Sequence, residues 1–353
     1  MLFSQKTKGF FVELNDHAVM LARTSSATAP FIVEDMRECP IGDAAALEEA
    51  IKVVQPKKAP SGYLHACVGV FPSKRLVRRH SLELKRIKEP AYLGEVCAQQ
   101  FRIEQDKYAL ALLNAADGSD YDLVKAAQKE VVFCGMPIDE VATVQTGLLE
   151  SGIYPERLEL GSVAMLGAVV DCLAFTKSKI PTLVLEIGAD ATHSFIVSAT
   201  GVDASRPIPQ GLDAMVPIVQ KELGLKDEES ARKLFYSNTF DFTGMGPLLI
   251  KRLLKELQSS IGFYEVQTGQ SVGQVLCMQL PPKLAWLDAA IASALGVTSL
   301  KLDPAPWLQS RQVTLPEALA KNAQDIRWFG LLSLMAHYYT APSAHAAVPE
   351  EKK

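Results

Sequence analysis

The chain has 353 residues, of which 48% are hydrophobic and 22% are charged, and its formal net charge at pH 7 is -4. This length favours two or more domains, each with its own core, and the composition is that of an ordinary soluble globular protein. The small negative charge argues against a nucleic-acid-binding protein, because binding to the phosphate backbone requires a clustered positive surface.

The cysteines and the lengths of the apolar stretches indicate in which cellular compartment the protein is expected. The cysteines are far apart and form no CxxC pair, so we expect buried free thiols in a reducing compartment. The first residues lack an apolar stretch of signal-peptide length, and no later segment reaches about 18 uncharged apolar residues. We expect a cytoplasmic protein whose contact with a membrane is indirect. The six cysteines are Cys39, Cys67, Cys97, Cys134, Cys172 and Cys277.

The first 75 residues predict three strands, a helix and a fourth strand. GFFVEL and AVMLAR are alternating strands around the polar turn Asn15-Asp16-His17, and FIVEDMREC follows as a third strand. Asp43 is predicted to cap a helix that ends at Val54. After the linker PKKAPSG, the run YLHACVGVF is typical of a buried strand.

Residues 76–137 predict a small separate unit. LVRRHSLEL alternates as a strand, Pro90 begins the helix PAYLGEVCAQQF, and KYALALLNA and DLVKAAQKEVV are predicted strands around Asp117-Gly118. The segment IDEVATVQTGLLESGIYPERLELGSVAMLGAVV follows this unit.

The segment that follows, LVLEIGADATHSFIVSATGVDASRPIPQGLD, is the most informative of the chain. A buried strand ends in Glu186-Ile187-Gly188, small polar residues follow, and SFIVSA returns as a second strand. A glycine at the end of a buried strand allows a tight turn whose backbone amides face outward. Such a turn is suited to a phosphate group.

The remaining sequence is predicted to be mainly helical. Three helical stretches follow Asp213, namely MVPIVQKELGL, DEESARKLFY and PLLIKRLLKELQSSIGFYEVQ. The segment from QVLCMQL onward and the apolar run RWFGLLSLMAHYY follow these stretches. The tail from Ala341 lacks large apolar residues and is predicted to be disordered.

This order of elements resembles the bacterial pilus protein family PilM, a relative of the division protein FtsA, over nearly the whole chain. The family has an Asp-Ile-Gly hairpin followed by Arg, Ile and Gly-Gly-Asp. The corresponding positions here are Glu186-Ile187-Gly188, Arg206, Ile208 and Gly211-Leu212-Asp213. The resemblance implies an α/β, actin-like (ribonuclease H-like) fold of two halves with an inserted β-α-β-β subdomain of the FtsA/PilM type.

The resemblance also implies domain boundaries. The first actin-like half is expected at 1–75 and 138–178, the inserted subdomain at 76–137, the second half at 179–212 and 270–340, a small helical subdomain at 213–269, and a disordered tail at 341–353.

An actin-like nucleotide site has three backbone clamps, and two of them differ from the family here. Asn15 replaces the first-loop glycine, although an asparagine can occupy the left-handed turn region. Met20 replaces a phosphate-pairing lysine, and Asp16 directs a negative charge toward the phosphate position. Gln279-Leu280 replaces the Gly-Gly of the third clamp, and Pro281-Pro282 follows without free amides.

The resemblance therefore implies a degenerate nucleotide site without catalytic residues. We expect no ATPase activity, and binding of ATP and Mg²⁺ that is weak or lost. The residues that the resemblance places at this site are Asn15, Glu186, Gly188, Gly211 and Asp213.

For function, the resemblance implies a cytoplasmic scaffold of a type IV pilus or type II secretion-like inner-membrane complex. Its partner would be a PilN-like single-pass membrane protein, whose N-terminal peptide would lie in a groove near Val68–Val77 and Pro90–Phe101. Self-association is left open. One alternative is an active actin-like ATPase or small-molecule kinase in which Glu186 positions metal and water. Another is an FtsA-like division protein, although the tail VPEEKK offers no apolar face for a membrane.

The densest basic run has two interpretations. It forms a solvated strand edge that discourages pairing with other strands, or it contacts anionic lipid headgroups or an acidic partner. The run consists of Arg75, Arg78, Arg79, Lys85, Arg86 and Lys88. The scattered histidines have no metal-binding spacing, so no metal site is expected.

Overall fold

The computed structural model describes residues 8–55, 61–125, 128–237 and 239–337. Within these ranges the chain forms two large β-sheets, a third sheet of three strands, and helices between and around them. The predictions for the linker at 56–60 and for the tail from Ala341 onward fall outside the described residues.

The first sheet begins with the strands predicted near the N terminus. The elements are β1 (Gly9–Leu14), β2 (Ala18–Thr24), β3 (Phe31–Pro40), α1 (Ala44–Val54) and β4 (Leu64–Val70). Asp43 caps α1 as predicted, because its carboxylate accepts a hydrogen bond from the Ala46 amide.

The next segment forms the three-stranded sheet with one helix. It consists of β5 (Leu76–Ser81), α2 (Tyr92–Val96) with a continuing π-helical turn (Cys97–Phe101), β6 (Tyr108–Asn114) and β7 (Glu130–Pro137). The prediction of a strand from Asp122 onward is wrong for residues 122–125. The Asp122 carboxylate accepts hydrogen bonds from the amides of Val124 and Lys125, which makes a turn.

The chain then completes the first half and enters the second. The elements are α3 (Ile138–Glu150), β8 (Ile153–Leu160), α4 (Gly161–Phe175), β9 (Thr182–Ile187), β10 (Thr192–Ser198) and β11 (Gly201–Ile208). The sequence did not predict β11. Its polar side chains contact other parts of the protein: Ser205 contacts β5, and Arg206 pairs with Glu256.

The rest of the chain contains the predicted helices and three short strands. The elements are α5 (Val216–Glu222), α6 (Glu228–Phe235), α7 (Gly246–Leu249), α8 (Lys251–Thr268), β12 (Gln274–Met278), α9 (Trp286–Leu295), β13 (Thr298–Ser299), α10 (Ala305–Ser310), β14 (Val313–Thr314), α11 (Ala320–Gln324) and α12 (Phe329–His337). β14 pairs with β3, so residues 270–340 contribute to the first sheet as well as to the second half.

The two large sheets repeat one topology. The first has the order β14-β3-β2-β1-β4-β8 and the second has the order β11-β10-β9-β12-β13. In each sheet a three-stranded antiparallel meander is followed by two strands that add in parallel beside its first strand. The predicted two-half actin-like fold is confirmed.

Apolar packing joins the two halves directly. α4 and α12 lie between the sheets, where Leu166 and Leu331 share one core cluster with Phe11 of the first sheet and Phe195 of the second. A separate core covers the outer face of the first sheet, and another joins α5–α9 to the second. In the described part of the chain, no helix has both the length and the apolar character needed to cross a bilayer.

The three-stranded sheet makes one contact with the second half that depends on a glycine. Gly201, the first residue of β11, has a φ of 127°, and a Cβ there would lie 2.1 Å from the carbonyl oxygen of Ala115. Both the backbone angle and the missing space favour glycine at this point.

We predict that Gly201→Ala destabilises the protein by about 1–3 kcal/mol, since the substitution strains the backbone and pushes the inserted segment away from β11. Chemical denaturation would measure the change. Gly244→Ala is the matched control, because Gly244 is exposed and has open space around its Cβ position. Equal stability of the two variants would contradict the prediction.

Candidate functional site

The turns after β1, β9 and β12 meet between the two halves. Asp16 in the first turn accepts a hydrogen bond on Oδ2 from the amide of Ala189 in the second, at 3.0 Å. Residues of the first and third turns line a cleft of about 560 Å³, in which Met20 and His17 face the segment that begins at Gln279. The structure thus brings the three predicted clamp segments together.

The first turn is closed by the side chain of Asn15. Its Oδ1 accepts hydrogen bonds from the amides of His17 at 3.0 Å and Ala18 at 2.9 Å, and its Nδ2 donates to Glu13 Oε1 at 2.9 Å. Asn15 does not adopt the left-handed conformation that an asparagine can occupy. The hairpin survives without the glycine because side-chain hydrogen bonds hold it.

The second turn needs both of its glycines. The amides of Leu212 and Asp213 donate to the carbonyl groups of Gly188 and Ala189 at 2.9 Å each. A Cβ on Gly211 would lie 2.2 Å from the carbonyl oxygen of Ala189, and one on Gly188 would lie 2.8 Å from Asp16 Oδ2. The glycines therefore allow the close approach of three chain segments.

Asp213 is bound by protein groups. Its Oδ1 accepts hydrogen bonds from Arg232 Nη1 and from the hydroxyl of Tyr236, both in the α6 region. Burial and the nearby Asp213 carboxylate raise the pKa of the Tyr236 hydroxyl. In this structure Asp213 holds the helical subdomain against the second turn.

Glu186, at the end of β9, is fully buried and takes part in a cluster of charges. Its Oε2 accepts hydrogen bonds from Ser162 Oγ at 2.7 Å, from Arg75 Nε at 3.1 Å and from Arg75 Nη2. Arg75 is 8% exposed. A second carboxylate, Glu13 at the end of β1, is also buried, and among the described residues Glu13 Oε2 and Glu186 Oε1 have no hydrogen-bond partner.

Burial raises the pKa of the Glu13 carboxyl group to about 7, and the negative charge of Glu186 adds to the rise. The hydrogen bond from Asn15 acts in the opposite direction. The sequence analysis did not assign Glu13, Arg75 or Ser162 to the site. The repeated pattern Glu13-Leu14-Asn15 and Glu186-Ile187-Gly188, at equivalent strand ends, could have indicated Glu13.

The third turn keeps the backbone conformation of a glycine clamp, but its residues carry side chains that extend into the cleft. Gln279 has a φ of 62°, a left-handed conformation that glycine adopts more readily. Gln279 to Pro282 line the cleft, which narrows the space that Gly-Gly would leave open. Burial also lowers the pKa of His17 across the cleft.

Both interpretations of the basic run are wrong for its three arginines at the start of β5, because these arginines bind protein groups. Arg78 Nη1 donates to the carbonyl oxygen of Ser205 at 3.1 Å. Arg79 Nη1 donates to the carbonyl oxygen of Val202 at 2.8 Å, and its Nε donates to Glu130 at 2.9 Å. Arg78 and Arg79 dock the three-stranded sheet onto β11, the edge strand of the second sheet.

The first segment predicted to line a partner groove, Val68–Val77, runs from the end of β4 in the first sheet to the start of β5, where only Val77 faces away from α2. α2 packs on the face that carries Leu76 and Phe133. The opposite face, with Val77 and Val132, borders a second cleft of about 560 Å³. Pro90–Phe101 and Val77 therefore do not share a groove, since successive strand residues face opposite sides.

This second cleft is walled by the three-stranded sheet, α4, the second half, and residues of α10 and α12. The three-stranded sheet contributes Val77 and residues 113–119, α4 contributes residues 163–174, and the second half contributes residues 199–202. Its lining is largely apolar along α4, while Asp171 and Arg311 form an ion pair beside it.

The paired topology and the cleft between the halves define the actin-like class of fold. Neither a protein-family model nor a curated protein matches the sequence. A chain of a solved PilM-PilN type IV pilus biogenesis complex superposes with a TM-score of 0.68 and 18% identity, over 95% of this chain and 100% of that chain. At this identity the likeness shows the fold, which other proteins use for many functions.

Two further solved structures give weaker superpositions. The ethanolamine utilization protein EutJ from Carboxydothermus hydrogenoformans has a TM-score of 0.45 and 10% identity, over 94% of this chain and 89% of that chain. A protein with an actin-like ATPase fold from Bacteroides thetaiotaomicron has a TM-score of 0.45 and 9% identity, over 94% and 98% of the respective chains.

The raised pKa of Glu13 predicts a pH dependence of stability. The folded state keeps a proton that the unfolded state releases near pH 4.5, so the free energy of unfolding should fall as pH rises from about 4.5 to about 7, and change little from this group above that. The decrease in the free energy of unfolding that Glu13 contributes over this pH range is at most about 3 kcal/mol. Glu13→Gln should remove this slope, as measured by urea denaturation across the pH range.

The control for this experiment is Glu150→Gln, at an exposed position outside the site. It should keep the slope of the wild-type protein. Identical pH profiles for Glu13→Gln and the wild-type protein would show that Glu13 does not hold a proton in the folded state at neutral pH.

Proposed function

We propose that the protein is a scaffold of a type IV pilus or related inner-membrane assembly and that it binds the cytoplasmic peptide of a PilN-like membrane protein. The observation that carries this proposal is the similarity to a chain of a PilM-PilN complex over nearly the full length of both chains. The chain would lie on the cytoplasmic side of the membrane, and its partner would supply the membrane anchor.

The cleft bordered by Val77 is the site that best fits an extended peptide. It is long because α4 lines it from Val163 to Ala174, and its walls are apolar at Leu113 and Val132. Extended peptides bind in such grooves through main-chain hydrogen bonds and pockets for alternate side chains, which requires no nucleotide chemistry. This site replaces the groove near Pro90–Phe101 in the proposal.

The nucleotide site supports a scaffold rather than an ATPase or a kinase. The amide of Ala189, which would face a phosphate group, is bound by Asp16. Met20 supplies no cation, and Pro281 and Pro282 occupy the wall of the cleft where bare backbone would be needed. We infer that the protein does not hydrolyse ATP and binds it weakly or not at all.

Peptide binding to the cleft can be tested with Gly167→Trp. Gly167 lines the cleft on α4, is exposed, and has open space around its Cβ position, so the indole should enter the cleft without disturbing the fold. We expect the affinity for the cytoplasmic N-terminal peptide of a PilN-like protein to fall by tenfold or more, equivalent to about 1.4 kcal/mol.

Fluorescence anisotropy with the labelled peptide would measure this affinity. Gly147→Trp is the matched control, since Gly147 is also exposed on a helix with open space around it but lies outside the cleft. Equal loss of affinity in both variants, or no loss in Gly167→Trp, would place the peptide elsewhere.

Nucleotide binding can be tested by calorimetry with Mg-ATP. Loss of a lysine-phosphate contact alone removes about 1.5–3 kcal/mol, or tenfold or more in affinity. We expect no saturable binding in the low micromolar range and no release of phosphate. A low-micromolar dissociation constant would favour the ATPase or kinase alternative.

A further inference from the structure

Two of the polar groups between the halves, the Ala189 amide and Glu186 Oε2, are bound by other side chains of the protein. On the anion side, the Asp16 carboxylate accepts the Ala189 amide of the second turn at 3.0 Å. On the cation side, the Arg75 guanidinium binds Glu186. The charge of Glu186 also acts on a second buried carboxylate, Glu13. Asp16 and Arg75 therefore occupy positions at which turns of this kind would bind an anion and its counter-cation.

Arg75 uses all three of its nitrogen atoms within the protein. Nε and Nη2 donate to Glu186 Oε2. Nη1 donates to the carbonyl oxygens of Phe71 at 3.3 Å and Pro72 at 2.9 Å, and the guanidinium carbon lies 5.9 Å from the centre of the Phe71 ring. The guanidinium is therefore bound by carbonyl groups after β4 of the first half and by the Glu186 carboxylate of the second half.

The three groups that meet at Glu186 come from different parts of the chain. Glu186 ends β9 of the second half, Ser162 begins α4 of the first half, and Arg75 directly precedes β5 of the three-stranded sheet. The Arg75 segment has a further anchor, because His193 Nε2 of β10 lies 3.2 Å from the carbonyl oxygen of Ser73. A buried carboxylate must be paired, so removal of the guanidinium leaves a large uncompensated cost.

We propose that the Arg75 guanidinium is a built-in cation that holds the two halves and the inserted sheet together in place of a bound small ligand. This inference rests on the proposed loss of nucleotide binding at the same site. The relative position of the two halves is then fixed by the protein's own residues and not by a bound ligand. It also fixes the start of β5, and therefore Val77, which borders the second cleft.

The test is chemical rescue of Arg75→Ala in the full chain. Truncation to alanine leaves a space shaped for a guanidinium group beside Glu186. We expect the unfolding temperature to fall by at least about 5 °C. Millimolar methylguanidinium chloride should restore part of that loss relative to the same concentration of sodium chloride, and should not raise the unfolding temperature of the wild-type protein.

Arg86→Ala is the matched control, because Arg86 pairs with Glu89 and Glu95 at the surface of the inserted segment, away from the junction. Methylguanidinium should have no specific effect on it. An unfolding temperature of Arg75→Ala equal to that of the wild type, or an equal response to both salts, overturns the proposal. Recovery of folded Arg75→Ala only in methylguanidinium supports it.

If Arg75→Ala is not recovered in either salt, Arg75→Lys decides the question. Its ammonium group keeps the charge but cannot make the two-nitrogen contact with Glu186, so its unfolding temperature should be clearly lower than that of the wild type. Equality with the wild type would overturn the proposal. The Mg-ATP titration of the wild-type protein tests the proposed function separately, since it does not depend on any Arg75 variant.

Discussion

The arrangement of this protein depends on one buried carboxylate. Glu186 is fully buried and accepts hydrogen bonds from Arg75 and Ser162, which belong to different parts of the chain. An unpaired carboxylate in this position would cost several kcal/mol, so the pair is stable only when the second-half strand, the α4 helix and the start of the inserted sheet are all in place. Apolar packing between the sheets supplies the larger part of the stability, but it is less directional than this contact.

The inserted sheet is positioned by the same segment. Arg78 and Arg79 lie three and four residues after Arg75 and bind the backbone of β11, so the edge of the small sheet rests on the edge of the second large sheet. This contact covers two strand edges that would otherwise be open to pairing with other chains. It also forms the second cleft, whose walls come from both halves and from the insertion.

The clamp turns keep their backbone conformation although two of them carry other residues in place of glycine. Asn15 closes the first turn with its side chain, and Gln279 holds a left-handed conformation in the third. The turns are therefore preserved, but the amide of Ala189 and one oxygen of the Glu186 carboxylate are bound by internal partners. The shape of these turns is therefore held by the protein's own side chains.

The sequence by itself determined the local structure, because strand alternation, helix caps and turn glycines act over a few residues. The hairpin at Gly188 and the cap at Asp43 were predictable for this reason, and the order of elements was enough to predict the actin-like fold. Only the tertiary structure showed that Arg75 pairs with Glu186, 111 residues away, and that the polar strand β11 lies against the inserted sheet. The sequence does not distinguish a charged side chain that water solvates from one that pairs with a distant carboxylate. The partner depends on which segments the tertiary structure brings together.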